Sequence, residues 1–89
     1  MYKRPSTEGY TIYTKSNCGA CEKTKLLLPN ANCIDCEGYL EEVDEFLDFI
    51  WSLPQADGAK AFPMVFKDGK FIGGYNEVVK DLAFKKSDF

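Results

Sequence analysis

Two cysteine pairs of equal spacing, Cys18-Gly19-Ala20-Cys21 and Cys33-Ile34-Asp35-Cys36, are the residues of this 89-residue chain best suited to chemistry. Cysteines three apart can act as a redox dithiol, as half of a zinc site, or as a structural staple. The sequence contains no histidine. That excludes Ser-His-Asp and Cys-His nucleophile systems and every zinc site built on imidazole.

A cysteine is nucleophilic as thiolate, and at an ordinary pKa of about 8.5 only a few per cent is ionised near neutrality. Lowering that pKa by roughly 2.5 units takes about 3.4 kcal/mol of preference for the anion, whereas a helix dipole gives about 0.3 to 1 and at best about 2. Hydrogen bonds and neighbouring charge must supply the rest. The first pair has candidates for both: the N–H groups of Ala20 and Cys21, unpaired in a first helical turn, and the ammonium groups of Lys15 and Lys23. Small Gly19 and Ala20 leave the Cys18 sulfur open to a bulky partner. Position then divides the labour. Cys18 is the outer attacker, and Cys21, one turn inward, resolves the mixed disulfide. The competing reading joins both pairs in one four-thiolate zinc site, with eleven residues between them. A zinc ribbon wants short knuckles on hairpins, and here the first pair opens a helix.

The second pair is weaker. If Cys33 to Cys36 is extended, three residues span about 10 Å, beyond the roughly 7 Å limit between the Cα atoms of a disulfide. We expect Cys33 to be a small buried hydrophobe and Cys36 an exposed or half-exposed thiol.

Several elements must position these groups. Gly9 to Lys15 is β-branched and aromatic, with Tyr10, Ile12 and Thr14 on one face, and predicts a strand. Asn17 is a suitable N-cap for a helix ended by Pro29 and Asn30. Cys33-Ile34-Asp35 predicts a short strand, and a helix follows from about Tyr39 to Leu53, with Leu40, Val43, Leu47, Ile50 and Trp51 as its buried stripe. Its acidic residues between read as a solvated face. Pro54 and Gly58 bracket a loop. Asp68-Gly69, between Pro63-Met64-Val65-Phe66-Lys67 and Lys70-Phe71-Ile72, is a two-residue hairpin signal, and a last helix begins at Tyr75 or Asn76. The order β-α-β-α-β-β-α, with one parallel crossover and one hairpin, predicts an α/β four-stranded mixed sheet flanked by helices, the layout of a minimal thioredoxin-like fold.

Composition bounds the rest. The length fits one small domain, taken as residues 9–89 after a flexible polar leader, 1–8. A net charge of -3 argues against nucleic acid as a partner. No signal-like or membrane-spanning stretch is visible, so the chain is expected in a reducing cytoplasm, away from membranes, where four cysteines suit catalysis or metal better than a disulfide framework.

Three segments in order carry a family resemblance: the strand leading into Lys15-Ser16-Asn17-Cys18-Gly19-Ala20-Cys21, then Phe62-Pro63-Met64-Val65-Phe66, then Gly73-Gly74-Tyr75-Asn76-Glu77. Together they resemble a dithiol glutaredoxin over nearly the whole chain from Gly9. The resemblance implies a thiol-disulfide oxidoreductase in which Cys18 and Cys21 exchange disulfides and glutathione is co-substrate, with no bound cofactor or metal. It implies a cis bond before Pro63, whose ring faces the cysteines, and a Phe62 backbone that pairs with the cysteinyl part of glutathione. Gly74, Tyr75 and Asn76 would hold its γ-glutamyl end, and Lys15 would meet its glycine carboxylate. Ribonucleotide reductase or similar disulfide-bearing proteins would be the acceptors, for a monomeric enzyme.

Three departures stand out. Gly19-Ala20 replaces the usual Pro-Tyr, Ala61-Phe62 replaces the common Thr-Val, and Asn76 stands where an acidic residue often follows Gly-Gly-x. Two rivals follow from them: a redoxin of the same fold recharged by thioredoxin reductase, and a module whose thiolates hold zinc or an iron-sulfur cluster.

Overall fold

The β-branched run ends up at the centre of the molecule in a computed structural model that describes residues 2–86. Strand β1 (Tyr10–Thr14) is followed by helix α1 (Gly19–Leu27), strand β2 (Asn32–Asp35), a 3-10 segment (Gly38–Glu42), helix α2 (Val43–Trp51), strands β3 (Met64–Lys67) and β4 (Lys70–Gly73), and helix α3 (Tyr75–Lys86). The sheet order is β2-β1-β3-β4. β1 pairs parallel to β2, with Ile12 opposite Cys33, and antiparallel to β3, with Ile12 opposite Val65.

Because successive strand residues face opposite ways, the two central strands feed two separate cores. Tyr13, Met64 and Phe66 point to one side and pack with Phe46, Ile50 and Leu53; Ile12 and Val65 point to the other and pack with Leu28 and Val78. The sequence pattern suggested one buried face for β1, but Thr11 to Thr14 are all buried because helices cover both sides. On the second side, Asp81 of α3 accepts from the Tyr10 hydroxyl and pairs with Lys67 Nζ at 3.4 Å.

The middle helix differs from its prediction. Glu42 leaves the helical region (φ -128°, ψ 63°), so the chain runs as a 3-10 segment and then restarts as α2 on a new phase. The buried stripe becomes Phe46, Ile50 and Leu53, while Val43 and Trp51 are exposed. The hairpin forms as its dipeptide demands: Asp68 (φ 52°) and Gly69 (φ 83°) both sit in the left-handed region, as a type I′ turn requires.

The leader lies along the domain. The Tyr2 ring packs at 4.9 to 5.6 Å from those of Tyr39, Phe46 and Phe49, and the buried Tyr13 hydroxyl donates to the Lys3 carbonyl at 2.6 Å. No helix among the described residues is long and apolar enough to cross a membrane.

Candidate active site

The loop after β1 makes the first turn of α1 out of the cysteine pair itself. Asn17 takes a left-handed conformation (φ 56°), and Cys18, extended at φ -120°, is the N-cap. This corrects the expectation that Asn17 caps the helix. A left-handed Asn reverses the chain one residue too early, and the next side chain, a thiol, takes the capping position. The Cys21 N–H donates to Cys18 Sγ at 3.1 Å, one of the two donors expected there. Ser16 N–H, just upstream, donates to Glu37 Oε2 at 2.9 Å, which ties the loop to the end of β2.

Cys18 and Cys21 are joined as a disulfide, with Cα atoms 5.2 Å apart. One helical turn brings three-residue spacing inside disulfide reach. Cys18 is half-buried and Cys21 fully buried, so one sulfur faces visitors and the other lies behind it.

An open groove of about 670 Å³ runs beside the pair, lined by Ala20, by Ala59 to Pro63, and by Phe71 to Glu77. Its size is that of a small-ligand site. The Phe62–Pro63 peptide is cis, as the resemblance implied. The Phe62 ring stacks on buried Phe46 at 6.3 Å with planes 3° apart, so α2 props this wall from beneath. The Trp51 indole N–H donates to the Ala59 carbonyl at 2.6 Å and holds the preceding stretch of wall.

Five of the six positions predicted to hold glutathione line this one groove: Phe62, Pro63, Gly74, Tyr75 and Asn76. The sixth, Lys15, is exposed and places its Nζ 5.6 Å from the Phe62 ring centre. Two groove residues were missed by the sequence reading. Lys60 is an exposed cation of the wall. Glu77 turns back onto its own helix start, where Oε1 accepts from the Gly74 N–H at 2.8 Å, half of a capping box. A Cβ on Gly73 (φ 132°) would collide with the Glu77 side chain, so glycine there makes room for the cap. The third-residue spacing of Gly74 and Glu77 was the available signal.

The second cysteine pair inverts its expectation. Cys33 is exposed and Cys36 buried. Ile34 is the inward residue of β2, so Cys33 must face out. Cys36 lies just past the strand, where its N–H donates to the Thr14 carbonyl at 2.8 Å and its side chain joins the core around Tyr13 and Phe46. Burial, with Asp35 adding to it, pushes its thiol up to about 12, and burial raises Tyr13 beyond the ordinary tyrosine range. Among the described residues no three His, Cys, Asp or Glu side chains stand together as a metal site, so the four-thiolate arrangement is not assembled.

The family model for glutaredoxin matches residues 10–72, more than half of the chain. The chain belongs to the glutaredoxin family. Solved glutaredoxins share the fold. One from buckwheat, in a complex with glutathione, superposes with a TM-score of 0.72 at 24% identity, over 91% of this chain and 74% of its own. Oxidized glutaredoxin 2 from Chlamydomonas reinhardtii gives 0.69 at 22% identity, over 90% and 76% of the two chains. Glutaredoxin 1 from Francisella tularensis, complexed with cacodylate, gives 0.61 at 21%, over 88% and 98%. No curated protein sequence matches the chain. Family and dithiol together make this glutaredoxin a thiol-disulfide oxidoreductase.

Proposed function

We propose that this glutaredoxin reduces glutathione mixed disulfides and protein disulfides through Cys18 and Cys21, with glutathione as the recycling thiol. The observation that carries the reading is the single groove beside the dithiol, where Phe62, cis Pro63, Gly74, Tyr75 and Asn76 converge. That the buckwheat structure is a complex with glutathione supports it.

In the forward step the Cys18 thiolate attacks one substrate sulfur, forming an S–S bond and expelling the other sulfur as a thiolate that takes a proton from water. For a protein disulfide, the Cys21 thiolate then attacks Cys18 Sγ and releases the second substrate thiolate. Two electrons have moved to the substrate, and the Cys18–Cys21 bond of this structure is the oxidised product. Two glutathiones reverse it through a Cys18 mixed disulfide and leave as glutathione disulfide. The Cys21 N–H aimed at Cys18 Sγ would stabilise the thiolate. In the groove, the first-turn N–H groups of Tyr75 and Asn76 would receive the γ-glutamyl carboxylate, and Lys15 the glycine carboxylate. Disulfide-bearing enzymes such as ribonucleotide reductase are the proposed acceptors, with the enzyme a cytoplasmic monomer.

One observation favours a second reading. The Gly74 N–H, expected for glutathione, is already bonded to Glu77. A redoxin recycled by thioredoxin reductase would need no such donor. The deciding experiment measures reduction of a glutathione mixed disulfide coupled to glutathione reductase and NADPH, with Cys18→Ser as control. Turnover lost in the variant is expected; absence of turnover, with recovery on adding thioredoxin reductase, would replace the first reading by the second.

A further inference from the structure

We propose that the rim of this groove selects protein disulfides flanked by acidic residues, and that Lys23 and Lys60, together with Lys15, read those carboxylates. The inference rests on the reading above only in taking Cys18 as the attacking sulfur. It concerns the protein substrate, which the glutathione subsites leave open.

The chain carries a net charge of -3, yet three lysines stand around the dithiol and its groove. Four nearby carboxylates keep their charge but are each bonded to a partner within the protein. Glu22 pairs with Lys25 at 3.4 Å, Asp35 accepts from the Glu37 N–H at 3.1 Å, Glu37 accepts from the Ser16 N–H at 2.9 Å, and Glu77 accepts from the Gly74 N–H at 2.8 Å. The lysines are not. Among the described residues the ion pairs are Lys25–Glu22 and Lys67–Asp81, which leaves Lys15, Lys23 and Lys60 without an acidic partner.

Two of these lysines are held by groove aromatics. Lys15 Nζ lies 5.6 Å from the Phe62 ring centre, and Lys23 Nζ lies 5.8 Å from that of Tyr75. Lys60 lines the groove itself. An aromatic face attracts an ammonium without neutralising it, so it restrains the side chain and keeps its charge for a visitor. Lys15 precedes Cys18 by three residues and Lys23 follows Cys21 by two, which sets their charges on either side of the dithiol along the chain. A segment with Asp or Glu beside its cysteine is attracted during encounter and docking, and one with Lys or Arg is repelled.

The test uses pre-reduced protein in single turnover, without glutathione. Its substrates are three disulfide-linked peptide dimers whose cysteine is flanked by aspartate, serine or lysine. Each rate is divided by that with dithiothreitol, which removes the intrinsic effect of the flanks on the sulfur. At about 0.02 M salt the aspartate peptide should react about fivefold faster than the serine peptide, the lysine peptide slower than both, and the order should compress near 0.5 M salt. Lys23→Gln with Lys60→Gln should bring the aspartate-to-serine ratio close to one; the ratio, taken within one protein sample, is insensitive to a partial loss of folding. A ratio of one in the unaltered protein, or one that neither salt nor the substitutions change, overturns the proposal. Failure to reduce any peptide, where dithiothreitol reduces all three, removes the dithiol reading itself and this inference with it.

Discussion

The two Cys-x-x-Cys pairs share a spacing and nothing else. Cys18 and Cys21 open a helix, come within 5.2 Å, and leave Cys18 half-exposed beside a groove that Ala20 helps to line. Cys33 and Cys36 leave a strand, one facing out and the other in the core, where burial lifts the thiol to about 12. Spacing sets whether two thiols can meet, and the backbone beneath them sets whether they do. A helix returns every three to four residues to the same side, while a strand and its exit place residues three apart on opposite sides.

The sharpest way to break this comparison is to remove the outer sulfur of the first pair. Cys18→Ser is expected to lower disulfide reduction at least about a thousandfold, as loss of a nucleophile does, while Cys21→Ser keeps reduction of glutathione mixed disulfides and loses that of protein disulfides. Equal loss in both, in coupled assays with the two substrates, would sink the division of labour.

Within the second pair, alkylation by iodoacetamide read by mass spectrometry should label Cys33 at least about a hundredfold faster than Cys36, since the buried thiol is neither exposed nor ionised near pH 7. Similar rates would mean that the end of β2 opens readily.

A third measurement concerns pH. The folded Cys36 holds its proton up to about pH 12, whereas the unfolded thiol loses it near 9, so the native state binds more protons between those limits. Its contribution is therefore complete below about pH 9 and declines above it, by about 1.4 kcal/mol per pH unit. Urea midpoints between pH 8 and 10.5 should fall, and fall less steeply in Cys36→Ala, with Tyr13 adding a decline of the same sign at the alkaline end. A parallel slope in the variant would remove Cys36 as its source.

The smallest effect belongs to the exposed member. Cys33→Ser should change unfolding free energy by less than about 0.5 kcal/mol and leave turnover intact, as surface substitutions do. A larger loss would show that β2 needs that thiol.

Much of this was legible in the residues, and the failures share a cause. The β1 run, the Asp68-Gly69 turn and the three groove segments are local signals whose chemistry constrains the backbone directly. The candidate site residues were read from a family pattern, and five of the six glutathione positions line one groove. Phe46 was not, because the 3-10 segment ending at Glu42 shifts the helical phase, and a sequence read as one helix assigns the wrong stripe. The burial of Cys33 and Cys36 depended on strand parity across a bend. Glu77 was read past because its partner is a backbone N–H, marked in the sequence only by the three-residue offset from Gly74. Tyr2 looked like part of a leader because its partners, Tyr39, Phe46 and Phe49, lie about forty residues away.

The hydrogen bond from Trp51 to the Ala59 carbonyl has a spectroscopic consequence. It is the only tryptophan of the chain, it is partly open to water, and its indole N–H grips the backbone of a groove residue. Emission excited at the red edge of protein absorbance comes from this one ring, with none of the chain's tyrosines contributing. Any occupant that shifts the Ala59 to Pro63 wall changes the polarity and hydrogen bonding of that indole. The molecule thus carries its own optical probe, placed beside the groove.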